Sequence, residues 1–201
     1  MSQPGRIVVA ISGASGAIYG IRLLQALRAL GGLEVHLVVS PSARQTIRSE
    51  TDLDYKDVAA LADVVHGHRE VGATIASGSF ATRGMVVAPC SVKTLSAIAY
   101  GLTDDLISRA ADVHLKEGRP VALMFRETPL HAGHLRAMLQ ATENGAILFP
   151  PLPAFYNHPQ TIDDMVNDTV SRVLARLGLD APVKQWAGLG AAVQDHRARD
   201  P

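Results

Sequence analysis

The most constraining feature of this chain is an alternation. Short, almost wholly apolar runs are each followed by a longer stretch of helical periodicity. The runs are RIVVAI (6–11), EVHLVV (34–39), GMVVA (84–88), PVALMF (120–125) and AILFP (146–150). The helical patterns fall at 17–30, 41–49, 93–100, 105–117 and 132–142. Runs without polar alternation predict strands covered on both faces, as parallel sheets require. Strand–helix repetition then predicts an α/β fold, a single domain with one doubly wound, Rossmann-like parallel sheet and helices on both faces. Ligands of such sheets bind beyond the carboxyl ends of the strands, so chemistry is expected in the segments that follow the runs.

A last helix is signalled by Thr161 as N-cap, Asp163 and Asp164 in the first turn, and Gly178 past its end. Ile162, Met165, Val166, Val170, Val173, Leu174 and Leu177 are expected to form one buried stripe, with Arg172 at its edge. Residues 1–186 are expected to form the domain, and 187–201, ending in QDHRARDP, a loosely ordered tail.

Charge and cysteine usage narrow the function. Nineteen Lys and Arg balance nineteen Asp and Glu, which argues against a nucleic-acid or membrane-surface partner. No apolar run reaches the ~20 residues that span a bilayer, and IVVAI is too short for a signal peptide. Cys90 stands alone, which suits a reducing, cytoplasmic setting.

The segment ISGASGAIYG (11–20) follows the first run and leads into a helix. Backbone N–H groups and a helix N-terminus there favour an anion, although a tight turn without ligand would use the same residues. The glycines do not fit G-x-G-x-x-G, and the second run ends in Ser40 where a dinucleotide site wants a carboxylate. That disfavours an NAD oxidoreductase. After the strand expected at 84–88, Ser91, Lys93 and Thr94 open a helix and offer a second polar cradle, or simple capping. Arg126 and Glu127 leave the next strand at its carboxyl end, where they form either part of a site or a surface ion pair. Together these segments suit a mononucleotide with one phosphate. Cys90 lacks a nearby base, and His66/His68 and His131/His134 lack a third ligand at metal spacing, so neither a thiol nucleophile nor a metal is expected.

GASGAIYG, SETD, APCSVKTL, RAADVHLKEGRP, FRETPLH and PAFYNHPQ stand in the order found in UbiX-type flavin prenyltransferases, over residues 6 to 186. The chain resembles that family, and the resemblance implies the following. The fold is flavodoxin-like and the assembly a homododecamer. Dimethylallyl phosphate prenylates reduced FMN across N5 and C6, without a metal, and the prenylated flavin passes to a UbiD-type decarboxylase. FMN is held by Gly13, Ala14, Ser15, Ser40, Ser91, Val92, Lys93, Thr94 and Arg126; the prenyl phosphate by Lys116, Tyr156 and Arg172. Catalysis falls to Ser15, Glu50, Lys116 and Glu127, with Ser15 relaying a proton to Glu127. Which subunit supplies Arg109 or Glu50 is left open, as is the role of Trp186, and residues 54–74 receive no function. Two alternatives are an FMN-dependent cysteine decarboxylase, disfavoured by APCSVKT and FRETPL, and a non-catalytic flavin carrier or decarboxylase subunit, which would need no phosphate clamp.

Overall fold

The structure, a computed structural model, describes residues 5–186. The expected tail at 187–201 lies outside the described residues. Six parallel strands form one sheet: β1 (Gly5–Ile11), β2 (Leu33–Val39), β3 (Val64–His66), β4 (Met85–Cys90), β5 (Val121–Phe125) and β6 (Ile147–Leu148). Their order is β3-β2-β1-β4-β5-β6, so the chain winds outward in one direction from β1 and then in the other from β4. Loops after β1 and β4 are therefore neighbours at the reversal point. That is where a doubly wound sheet opens a crevice.

Among the described residues seven α-helices cover the sheet: α1 (Ala17–Leu30), α2 (Pro41–Glu50), α3 (Tyr55–Ala59), α4 (Val92–Tyr100), α5 (Leu106–Lys116), α6 (Ala132–Glu143) and α7 (Ile162–Arg176). Strand residues pack alternately to the two faces. Ile7, Val9 and Ile11 meet α1 and α7 on one side, whereas Val8, Ala10 and Val87 meet α4, α5 and α6 on the other. Both faces are dry, which explains why the strand runs show no polar alternation.

Two short elements departed from the sequence expectation. β3 and α3 occupy the segment to which no pattern was assigned, because three to five residues are too few to show a period. The expected stripe on α7 also needs one correction. Val166, Val170, Val173 and Leu174 are buried, but Ile162 is 79% exposed, because it sits in the first turn beyond the edge of the sheet. Thr161 caps α7 as expected, in a reciprocal capping box with Asp164. Among the described residues no helix is long and apolar enough to cross a membrane.

Candidate active site

A cavity of about 1080 Å³ opens at the carboxyl ends of the strands. Gly13, Ala14 and Ser15 reach it from the loop after β1, and Ser40 from the turn after β2. Ser91, Val92, Lys93 and Thr94 come from the start of α4, and Arg126 and Glu127 from the end of β5. Every residue expected to hold FMN thus lies on one wall or another of the same space.

Hydrogen bonds hold the loops in register. Ser12 Oγ donates to the Pro89 carbonyl at 2.9 Å and accepts from Ser91 N–H at 2.8 Å, which ties the β1 loop to the β4 loop. Gly13 lets α2 approach: a Cβ there would stand 2.2 Å from Ser42 Oγ. Ser40 caps α2 by accepting from Ala43 N–H at 3.1 Å, and Ser91 caps α4 by accepting from Thr94 N–H at 3.3 Å. Two helix N-termini, α2 and α4, therefore meet at one cavity with hydroxyls and Lys93 around them, which suits a phosphate.

The N-terminus of α1 does something else. Its expected anion is supplied by the protein. Glu50 Oε2, at the end of α2, accepts from Gly16 N–H at 2.8 Å and from Ala17 N–H at 3.0 Å. The Ser15 side chain lies beside the same carboxylate. Burial would push the Glu50 carboxyl up, but the Ser15, Gly16 and Ala17 hydrogen bonds and the charge of Arg126 outweigh it and hold the group below its usual 4.5. Glu127, expected as the end of a relay from Ser15, lines the same cavity and accepts from the neighbouring Thr128 N–H at 2.9 Å, whereas the carboxylate beside the start of α1 is that of Glu50. Sequence spacing could not reveal this, because Ser15 and Glu50 are joined only by the packing of α1 on α2.

Cys90 is buried beneath this floor, and burial drives its thiol far above the ordinary range, so it stays an inert thiol.

Comparison with known proteins bears on what the cavity is for. The family model "Flavoprotein" matches residues 1–173. The chain is 56% identical over 186 residues to flavin prenyltransferase UbiX of Escherichia coli strain K12, covering 91% of this chain and 98% of that protein. AnUbiX (PadA1), solved in complex with FMN and dimethylallyl pyrophosphate, superposes with a TM-score of 0.89 at 51% identity, covering 92% of this chain and 98% of that one. A dodecameric FMN-dependent UbiX-like decarboxylase from Escherichia coli O157:H7 also gives 0.89, at 50% identity, covering 91% and 100%. The chain belongs to the UbiX-type flavin prenyltransferases, within the flavoprotein family.

For a UbiX-type chain, one group of expected residues is missing from the cavity of a single subunit. Lys116, Tyr156 and Arg172 do not line it. Lys116 ends α5, roughly 16 Å along that helix from the cavity-lining Asp105. It pairs with Glu117. Tyr156, in a 3₁₀ turn at Phe155–Asn157, is 40% exposed and meets Trp186 edge-on at 5.5 Å. Arg172 is exposed on α7, its guanidinium 6.0 Å from the Phe149 ring centre. Arg109 pairs with Asp112 one turn along α5. The structure also adds residues to the cavity that the sequence reading left unassigned: Ser42, His68, Arg69, Val71, Asp104 and Asp105. The HGHRE stretch, with its two histidines and arginine after an apolar pair, is the signal that could have pointed to part of that wall.

Proposed function

We propose that the chain is a flavin prenyltransferase that joins the dimethylallyl group of dimethylallyl phosphate to N5 and C6 of reduced FMN. The observation that carries this reading is the convergence of Gly13 to Ser15, Ser40, Ser91 to Thr94 and Arg126 on one cavity, with Ser15 backed by an ionised Glu50. The α2 and α4 N-termini with Lys93 fit the phosphate of FMN, which leaves the part of the cavity lined by Ser15 and Arg126 for its ring system. When bound, the reduced flavin supplies two nucleophilic positions: the allylic C–O bond breaks, bonds form at N5 and C6, one displaced proton goes to the alkene carbon and the other leaves with inorganic phosphate.

The protein's part is to bind, orient and move those protons. As the flavin edge gives a proton to Ser15 Oγ, Ser15 passes its own proton to the Glu50 carboxylate. Lys116, Tyr156 and Arg172 are the phosphate clamp, delivered to the cavity by neighbouring subunits, since their own subunit holds them away from it. A dodecamer supports that arrangement, and exposed Leu135 and Leu139 on α6 and Ile162 on α7 give it apolar surface to cover. The product passes to a UbiD-type decarboxylase. We place the reaction in the cytoplasm, where the buried Cys90 thiol suits a reducing medium.

Anaerobic incubation with reduced FMN and dimethylallyl phosphate, followed by mass spectrometry of the extracted flavin, tests the reading. A gain of one five-carbon prenyl unit with release of phosphate is expected. Unchanged flavin with both the mono- and the diphosphate donor overturns it in favour of a flavin carrier. Lys116→Ala and Arg172→Ala should each raise the KM for dimethylallyl phosphate ten- to hundredfold, roughly the worth of one charged hydrogen bond, with FMN affinity unchanged. An equal fall in FMN affinity would remove these residues from the clamp.

A further inference from the structure

One wall of the cavity has no assigned role. It comes from the loop after β3, where His68, Arg69 and Val71 line the same space as Ser40, Ser91 and Lys93. Leu106 N–H donates to the His68 carbonyl at 2.9 Å and pins this loop to the start of α5. The His68 side chain is only 15% exposed. Its Nε2 lies 3.7 Å from Asp105 Oδ2, and Lys93 Nζ lies 3.9 Å from the same oxygen. The other Asp105 oxygen is already engaged, accepting from Ser108 N–H at 3.0 Å and Ser108 Oγ at 3.2 Å. His68 Nδ1 is buried and has no hydrogen-bond partner among the described residues.

A buried ring nitrogen without a partner is costly, and native structures rarely leave one so without a purpose. The charges that act on this ring are those of Asp105 at the N-cap of α5, Lys93 from α4, Arg69 from its own loop and, more remotely, Arg44 of α2, which stacks on Tyr55. Asp104 lines the cavity beside them. Burial pushes His68 below its ordinary 6.5; Asp105 opposes that, and Lys93, Arg69 and Arg44 add to it. The imidazole is therefore neutral near pH 7.5, in a corner whose cations outnumber its carboxylates. A phosphate dianion entering between the α2 and α4 N-termini reverses the balance. An anion a few ångströms away favours the protonated ring by roughly one to three pK units.

We propose that His68 reads the phosphate of FMN: its ring takes up a proton from solvent as the phosphate enters and thereby favours the phosphorylated flavin over riboflavin. The added proton settles on the ring nitrogen that lacks a partner, and the doubly protonated imidazole, held by Asp105, joins Lys93 and Arg69 as a cation in the cavity wall. This inference rests on reading the cavity as the FMN site. Because the complex holds more protons than the free protein, affinity for FMN must rise as pH falls from above the bound-state pKa toward the free-state value below 6.5.

The test is titration calorimetry of the flavin-free full chain with oxidised FMN and with riboflavin, in two buffers of different ionisation enthalpy. At pH 7.5 the free phosphate, with a second pKa near ~6, is already a dianion, so protons taken up come to the protein. Wild type should take up roughly half a proton with FMN, and none with riboflavin. His68→Gln should take up none with either, bind FMN about tenfold more weakly, and show a flat affinity between pH 8.5 and 7. Equal uptake by wild type and His68→Gln, or FMN binding by wild type without uptake, overturns the proposal while leaving the FMN site standing. Uptake with riboflavin as large as with FMN also overturns it, and this arm needs no variant. Failure of wild type to bind FMN at all would overturn the reading of the cavity itself, and this proposal with it.

Discussion

Ser15→Ala and Glu50→Gln are each expected to slow prenyl transfer by about a thousandfold, as loss of a positioned proton acceptor or its support does. FMN affinity should stay within about twofold, because neither change touches the cradle formed by α2 and α4. The prediction follows from which group faces which. Glu50 is the acceptor for Ser15 and for two N–H groups of α1. An ionised carboxylate beside Ser15 is a base for the Ser15 proton and leaves the Oγ lone pairs for the cavity. On the proposed route Ser15 meets the flavin and Glu50 takes the proton that Ser15 passes on. A merely structural Glu50 would show the opposite split, with weaker FMN binding and normal turnover of the flavin that does bind. Arg126→Ala supplies the contrast: FMN affinity should fall ten- to hundredfold, the usual cost of a lost charged partner, before turnover of bound flavin changes. Single-turnover rates and FMN dissociation constants on the three variants separate these outcomes.

Gly20→Ala is expected to have the largest effect on stability. Gly20 lies on the face of α1 that crosses β4, and a Cβ there would stand 2.3 Å from the Ala88 carbonyl oxygen and 2.9 Å from Ile11 Cγ1 and Cδ1. The nearest of these is backbone in a central strand, which cannot swing aside as the tip of a side chain can. Alanine would return about 1 kcal/mol of helix propensity. Forced separation of helix and sheet costs about 3 kcal/mol or more, and the clash wins. Net destabilisation of about 2 kcal/mol corresponds to a thermal midpoint lower by roughly 4–8 °C, compared at equal protein concentration. A midpoint equal to or above wild type would show that α1 can shift away from β4 without loss.

How much of this was legible in the sequence differs between elements. The long strands and helices were, because two dry sheet faces demand uninterrupted apolar runs such as RIVVAI and VALMF, and helices over ten residues show their period. β3 and α3 were not, since neither is long enough to carry one. The cradle residues were legible as residue types at strand ends, and capping was one of the two readings offered for Ser91. The partner of Ser15 was not. Nothing in the spacing of Ser15, Glu50 and Glu127 says that the end of α2 folds back onto the start of α1, and the first loop looked like an open anion site for that reason. His68 was hidden by the same limit, because its meaning comes from Asp105 and Lys93, on other elements.

What the sequence by itself determined is the class of fold, the edge of the sheet where the cavity opens, and, through motifs standing in order over most of the chain, the family. These depend on local pattern and order along the chain. Tertiary structure decided which groups share a proton, which helix N-termini stay available for a phosphate, and that Lys116, Tyr156 and Arg172 stand off the cavity of their own subunit. The physical reason is range: hydrogen bonds and ion pairs act over a few ångströms, and only packing settles which residues come that close.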